Sequence, residues 1–275
     1  MNDQTPSWIS AEPGKPTLNG INVVGLKTLY IKEVKRFFKV QMQTVWAPAI
    51  TTLLYLVIFT VALGRGGRTV LGVPFADFIA PGLIMMAMLQ NAFANASFSL
   101  LVGKMQGTIV DYLMPPLSTG ELIAGLVGAA VTRAILVGCA VWLVMLPWPG
   151  VHVAITDPLS LVYFGLMGSL MLALMGLLTS MWASKFDHSA VVTNFIVAPL
   201  SLLSGTFYAI DQLSPAFRTA SHFNPFFYVI SGFRHGFVGA SDSPLIVGAI
   251  LLFAINVGLY ATCYALLRSG WKIKN

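Results

Sequence analysis

Residues 122–146 read LIAGLVGAAVTRAILVGCAVWLVML, an apolar run in which Arg133 is the only charge. A helix of this length rises about 37 Å at ~1.5 Å per residue, enough to cross a hydrocarbon layer about 30 Å thick. Its first half is dense in small residues, Ala124, Gly125, Gly128, Ala129 and Ala130, which let helices approach closely where lipid supplies no hydrophobic drive for association. The stretch therefore reads as a membrane-spanning helix. Arg133 sits well inside it, where an ionisable group is costly. It is either a functional residue or one that pairs or snorkels within the bundle.

Working outward, the same pattern recurs. Hydrophobic residues make up 56% of the 275 positions and charged residues 9%, against about 25% charged in a soluble domain. Further apolar runs cover Val45–Leu63, Phe75–Val102, Leu159–Ala183, Ala190–Ser204 and Leu245–Leu267. Pro48 stands near the start of the first, where a missing N–H is tolerated, and Pro199 predicts a kink in the fifth. The sum is an all-α integral membrane protein with six transmembrane helices.

Two segments need a different description. Val23–Gln41 gathers Leu26, Tyr30, Ile31, Val34, Phe37 and Phe38 on one helical face and Lys32, Lys35, Arg36 and Lys39 on the other, the pattern of a helix lying in the membrane interface. Gly205–Pro244 is too apolar for a solvated loop and too broken by Pro215, Pro225 and glycines for a simple span. Short re-entrant helices between the fifth and sixth spans reconcile these features, because irregular backbone at membrane depth must be buried in protein or face a water-filled cavity. Residues 1–22 are polar, with Pro6, Pro13 and Pro16, and read as a disordered cytoplasmic tail without the basic and apolar regions of a signal peptide. Residues 23–275 form one membrane domain.

The net charge of +6 does not point to nucleic acid, because the basic residues cap apolar runs and build no groove or stripe. With both termini inside, the cytoplasmic segments hold eleven Lys and Arg, and the opposite side holds Arg65, Arg68, Arg218 and Arg234. That bias fits retention of positive charge on the cytoplasmic side. Cys139 and Cys263 lie in apolar runs, and the four histidines are scattered, so no metal site is expected.

The second span carries Asn91, Asn95, Ser97 and Ser99 at near-helical spacing, which suits hydrogen bonding across helices or the lining of a pathway. No phosphate loop or zinc-binding helix is present, and the spans hold no acidic pair of the kind proton-coupled carriers use. The chain is expected to have no catalytic residue and to bind no cofactor. It is then a channel or carrier working alone, a membrane enzyme, or one part of a pump powered elsewhere.

The segment Gly107-Thr108-Ile109-Val110-Asp111-Tyr112-Leu113-Met114-Pro115-Pro116-Leu117-Ser118, followed by Glu121-Leu122, bears on that choice. It resembles the loop between the second and third spans of ABC-2 type permeases, whose pattern is roughly Gly-Thr-Leu-acid-x-Leu-Leu-x-x-Pro-Leu-Ser, then Glu-Leu. Ile109 replaces the usual Leu, and Asp111 supplies the acid. Phe78-Ile79-Ala80-Pro81-Gly82, Leu203-Ser204-Gly205-Thr206-Phe207-Tyr208 and Tyr228 to Phe237 are also similar to the family, most of all to its YadH-like branch.

The resemblance implies a homodimer in a bacterial cytoplasmic (inner) membrane, carrying two copies of an ABC-type ATPase subunit that binds ATP and Mg. Export would run through a dimer interface lined mainly by the second and fifth spans. Gly107, Thr108, Ile109, Val110, Asp111, Tyr112, Leu113 and Pro115 would form a coupling helix docking on the ATPase, and Val23–Gln41 the interfacial connecting helix. Asn91, Asn95 and Arg133 are pathway candidates; Phe207, Asn224 and Arg234 are candidates near an outer gate. An ATP-independent channel or carrier is the alternative. The residues select no substrate.

Overall fold

The computed structural model describes residues 20–64, 68–152 and 154–272. Most of the expected N-terminal tail therefore lies outside the described residues, as do Lys15, Arg65 and Lys274 of the charge count.

Helix ends are set by local chemistry. Helix α1, Val23–Phe38, starts where Asn22 Oδ1 accepts from the Gly25 N–H at 2.8 Å, an N-cap that satisfies one of the helix's free donors. A π-helical turn, Met42–Trp46, leads into α2, Ala47–Leu63. A short hairpin of β1, Thr69–Val70, and β2, Val73–Pro74, turns at Leu71 and Gly72 with φ of 52° and 79°; tight hairpins require positive φ at these two positions. Helix α3 spans Phe75–Met105 and α4 only Val110–Leu113. Helix α5, Thr119–Met145, opens on a capping box between Ser118 and Glu121, which satisfies two donors reciprocally. Then come α6, Pro158–Trp182, and α7, Phe186–Val192. A second π turn, Thr193–Val197, precedes α8, Ala198–Leu202. A 3-10 turn at Ile210–Gln212, α9, Pro215–His222, α10, Pro225–Val238, and α11, Leu245–Ser269, complete the chain.

Five stretches are long and apolar enough to cross a membrane: Met42–Ala62, Phe75–Met105, Thr119–Met145, Pro158–Trp182 and Leu245–Ser269. The expected count of six is thus reduced to five by this measure. The missing one, predicted over Ala190–Ser204, is a composite of α7, a π turn and α8. Its 17-residue extent gives only about 25 Å at ~1.5 Å per residue. Proline explains the π turn within it. Pro199 has no N–H, and its ring crowds the carbonyl four residues earlier; the ladder widens so that the Ala198 N–H reaches Thr193 O instead. The same device recurs before Pro48, where the Ala47 N–H reaches Met42 O. The kink expected at Pro199 thus takes the form of a π turn.

Helix α3 is the axis of the fold. Every residue from Asp77 to Leu89 is buried, enclosed by α5, α6 and α10. Glycines permit the close approach: a Cβ on Gly176 of α6 would lie 2.6 Å from Phe93 O, and one on Gly138 of α5 would lie 2.6 Å from Met88 Sδ. Helices α2 and α11 sit at the periphery and expose Ile50, Leu54, Ile58 and Val61, and Ile246, Ile250, Phe253 and Val257, stripes suited to lipid contact. Helix α1 buries Leu29, Glu33 and Phe37, while Ile31 and Phe38 are exposed. The face packed on protein thus overlaps the apolar face at Phe37 and leaves Ile31 and Phe38 outward. Leu29 fills the space over Gly125 of α5, and Tyr30 lies over Gly128.

Candidate functional sites

The segment between α3 and α5 is fixed by glycine and proline chemistry. Helix α3 stops as Gly107 turns left-handed at φ 71°, and the Thr108 N–H returns to Gly103 O at 2.8 Å. Pro115 and Pro116 then terminate α4, since the residue before a proline disfavours helix. In this segment Tyr112 is the buried anchor: its ring packs over Gly103, where a Cβ would come within 3.2 Å, and Lys32 Nζ stands 3.7 Å from the ring centroid. Gly107, Thr108, Val110, Asp111, Leu113 and Pro115 are exposed, as is Met114, with Ile109 half-buried. One side of this element is thus tied to the membrane domain, and the other presents an acid among apolar side chains.

Tyr112 leads inward. Its hydroxyl donates to Glu33 Oε1 at 3.1 Å, and burial, with the Glu33 charge second, pushes its pKa up. Glu33 is fully buried on α1, where Glu33 Oε2 accepts from Ser99 Oγ at 3.1 Å and pairs with Arg36 at 3.0 Å. Arg36 donates onward to Asn95 O at 3.0 Å, Asn95 Oδ1 at 3.3 Å and Ser99 Oγ at 3.1 Å. One turn further along α3, Asn91 Oδ1 accepts from Arg133 of α5 at 2.8 Å. Asn91 and Asn95 thus face α1 and α5 within the subunit. The partly exposed stripe of α3 is Gln90, Ala94 and Phe98, and Phe98 lies 5.6 Å from the Phe186 ring of α7. A second anchor binds the N-terminus of α1 to that of α5: the Asn22 N–H donates to Glu121, and Asn22 Nδ2 donates to Pro116 O at 3.1 Å.

The opposite end is organised by Arg234 of α10, which is fully buried. It donates to Asp242 Oδ2 at 2.6 Å, Gly205 O at 2.6 Å and Phe78 O at 3.1 Å, and lies 3.8 Å from the Phe78 ring centroid. One side chain therefore joins α3, the loop after α8, α10 and the loop before α11. Burial pushes the Asp242 carboxyl up, against the opposing pull of Arg234. Asn224 caps α10 through the Phe226 N–H at 3.0 Å and donates to Leu200 O at 2.9 Å, holding the end of α8. Phe207 packs against Phe59 of α2 with ring centroids 4.4 Å apart and planes tilted by 41°. Asp157, the N-cap of α6, has its carboxyl held below the usual range by the Ser160 hydroxyl first, then by the N–H groups of Ser160 and Leu159.

Three participants were absent from the sequence reading's candidates. Glu33 and Arg36 lie on α1, Arg36 on its basic face, and for Glu33 a signal was there: it shares the i, i+4 row of Leu29 and Phe37, an acid on an otherwise apolar stripe. Asp242 offered no signal, being one polar residue in a loop. Among the described residues there is no group of three or more acidic, histidine or cysteine side chains placed to hold a metal ion.

Comparison with known proteins gives concordant results. The model of the ABC-2 type transporter family matches residues 24–238. The chain is 37% identical over 258 residues to the inner membrane transport permease YadH of Escherichia coli K12, covering 92% of this chain and 98% of that one. It is 28% identical over 216 residues to nodulation protein J of Rhizobium leguminosarum bv. trifolii, covering 76% and 78%. Nodulation protein J of Sinorhizobium fredii is 27% identical over 219 residues, covering 74% and 80%.

Proposed function

The chain belongs to the ABC-2 type transporter family, and from that premise we propose that it is the permease subunit of an ATP-driven exporter. It works as a homodimer with two copies of a separate ATPase subunit, which binds ATP and Mg. The pathway lies in a bacterial inner membrane, as the name of the E. coli relative suggests, with both termini cytoplasmic. Export runs along the dimer interface, where the exposed stripe Gln90, Ala94 and Phe98 and the composite helix α7–α8 face a second copy. That composite helix is the fifth of six spans; α9 and α10 dip into the outer side, and α1 is the connecting helix.

The observation that carries this reading is the hydrogen-bonded line from Tyr112 through Glu33 and Arg36 to Asn95. A short element exposed on its outer side and bonded on its inner side to the central helix suits the transfer of a rigid-body displacement. Asp111, Val110 and Leu113 meet the ATPase, and Tyr112 transmits its movement. Asn91, Asn95 and Arg133 respond on the membrane side; Phe207, Asn224 and Arg234 hold the outer gate.

The test is affinity purification of the tagged chain in mild detergent with an ATPase assay of what copurifies. An ATPase subunit at equal stoichiometry, lost with Asp111→Arg, is expected. Tyr112→Phe is expected to retain the subunit and its hydrolysis while lowering transport per ATP. Recovery of the chain alone, with transport in ATP-free vesicles, refutes the reading in favour of a channel or carrier.

A further inference from the structure

Two arginines from different helices converge on one polar stripe of α3. Arg36 of α1 reaches Asn95, and Arg133 of α5 reaches Asn91, which places the two contacts about 6 Å apart along the helix at ~1.5 Å per residue. Among the described residues the acid at this point is Glu33, already engaged by Tyr112, Ser99 and Arg36.

The remaining groups are all donors. Arg36 Nη1, Asn95 Nδ2 and Arg133 Nε are each buried with no partner in the structure. A buried charge or donor left unmatched is expensive, and more so at membrane depth. Nothing else among the described acids balances them. Asp77 faces His152, Asp211 pairs with Arg218, and Asp242 pairs with Arg234. Asp111 lies in α4, Glu121 and Asp187 in the first turns of α5 and α7, and Asp157 caps α6. The site is not sealed: the Arg36 side chain is 30% exposed, and Arg133 is partly exposed.

We propose that Arg36 and Arg133, with Asn91 and Asn95, receive the acidic headgroup of an amphipathic molecule, a phosphate or carboxylate borne on an apolar chain. The chemistry follows from the donors: guanidinium groups present paired N–H donors matched to two oxygens of one anion, and the surrounding helices offer apolar surface to its tail. The inference rests on the transport reading only in treating this molecule as cargo; binding itself requires no ATPase.

The experiment uses the full chain in nanodiscs of phosphatidylcholine, into which phosphatidylglycerol of matched chains is titrated, with bound lipid counted by native mass spectrometry. The wild type is expected to prefer the anionic lipid by about tenfold or more, the equivalent of one charge-assisted hydrogen bond. Arg133→Gln loses that preference at an unchanged Tm and Arg133→Lys retains part of it; Arg36→Gln, separately, also loses the preference, at a lower Tm because it leaves the buried Glu33 without its partner. Competition by millimolar inorganic phosphate marks a site for the free anion; its failure to compete marks the tailed headgroup. A preference undiminished in both Gln variants overturns the proposal. Loss of preference together with a chain that recruits no ATPase would leave the headgroup site standing and refute the exporter.

Discussion

Removing the Asp242 carboxylate should destabilise the protein more than any change at its exposed surfaces. Arg234 and Asp242 side chains are 1% and 2% exposed and meet at 2.6 Å. In Asp242→Leu the guanidinium keeps Gly205 O and Phe78 O but has no counter-charge, and breaking a buried pair from one side costs about 3–5 kcal/mol. For a chain of this size, with about 2–4 °C per kcal/mol, Tm in detergent should fall on the order of 10 °C. Arg234→Met leaves Asp242 as the buried, unpaired member and should fall comparably. The double variant removes both charges, so it should recover part of the loss, with a coupling of about 1–3 kcal/mol. The assay is a thermal melt of all four proteins under one set of conditions. Single variants within about 1 kcal/mol of wild type, or losses that simply add, would show that this pair does not hold the two loops to α3 and α10.

Two other outcomes follow from local geometry. Gly176→Ala places a methyl 2.6 Å from Phe93 O and should cost about 1–3 kcal/mol by forcing α3 and α6 apart, whereas Gly258→Ala meets nothing within 4 Å and should gain up to about 1 kcal/mol of helix preference; paired melts check both signs. Because the folded pKa of Asp157 is depressed, its contribution is present above the ordinary aspartate value of about 4 and is lost as pH falls through the folded value. Asp157→Asn, still able to cap α6, should be less stable than wild type at neutral pH and converge with it in acid, as pH-dependent melts would register.

Much of the fold was legible in the sequence because a bilayer imposes a one-dimensional rule on composition: every spanning helix must be apolar for about 20 residues. That rule located the five long spans to within a few residues. Local chemistry was equally readable, since Ser118 and Glu121 cap α5 and Gly107 and Pro115 delimit α4 by interactions within a few positions of themselves. The fifth expected span was read as an apolar run kinked at Pro199, but apolar character there does not disclose how the hydrogen-bond ladder re-forms around a proline. Which part of the apolar face of α1 packs on protein was not legible, because Ile31 and Phe38 are as suited to lipid as to protein, and an apolar count cannot tell those two surroundings apart. Asn91 and Asn95 stood out as polar positions, but their partners, Arg133 and Arg36, lie 42 and 59 residues away. The sequence by itself determined which segments leave water and where they begin and end, because those are properties of each segment against its solvent. Only the tertiary structure decided which distant groups meet, Glu33 with Tyr112, Arg36 with Asn95 and Arg133 with Asn91, because pairing between helices depends on how glycine-sized gaps let them approach.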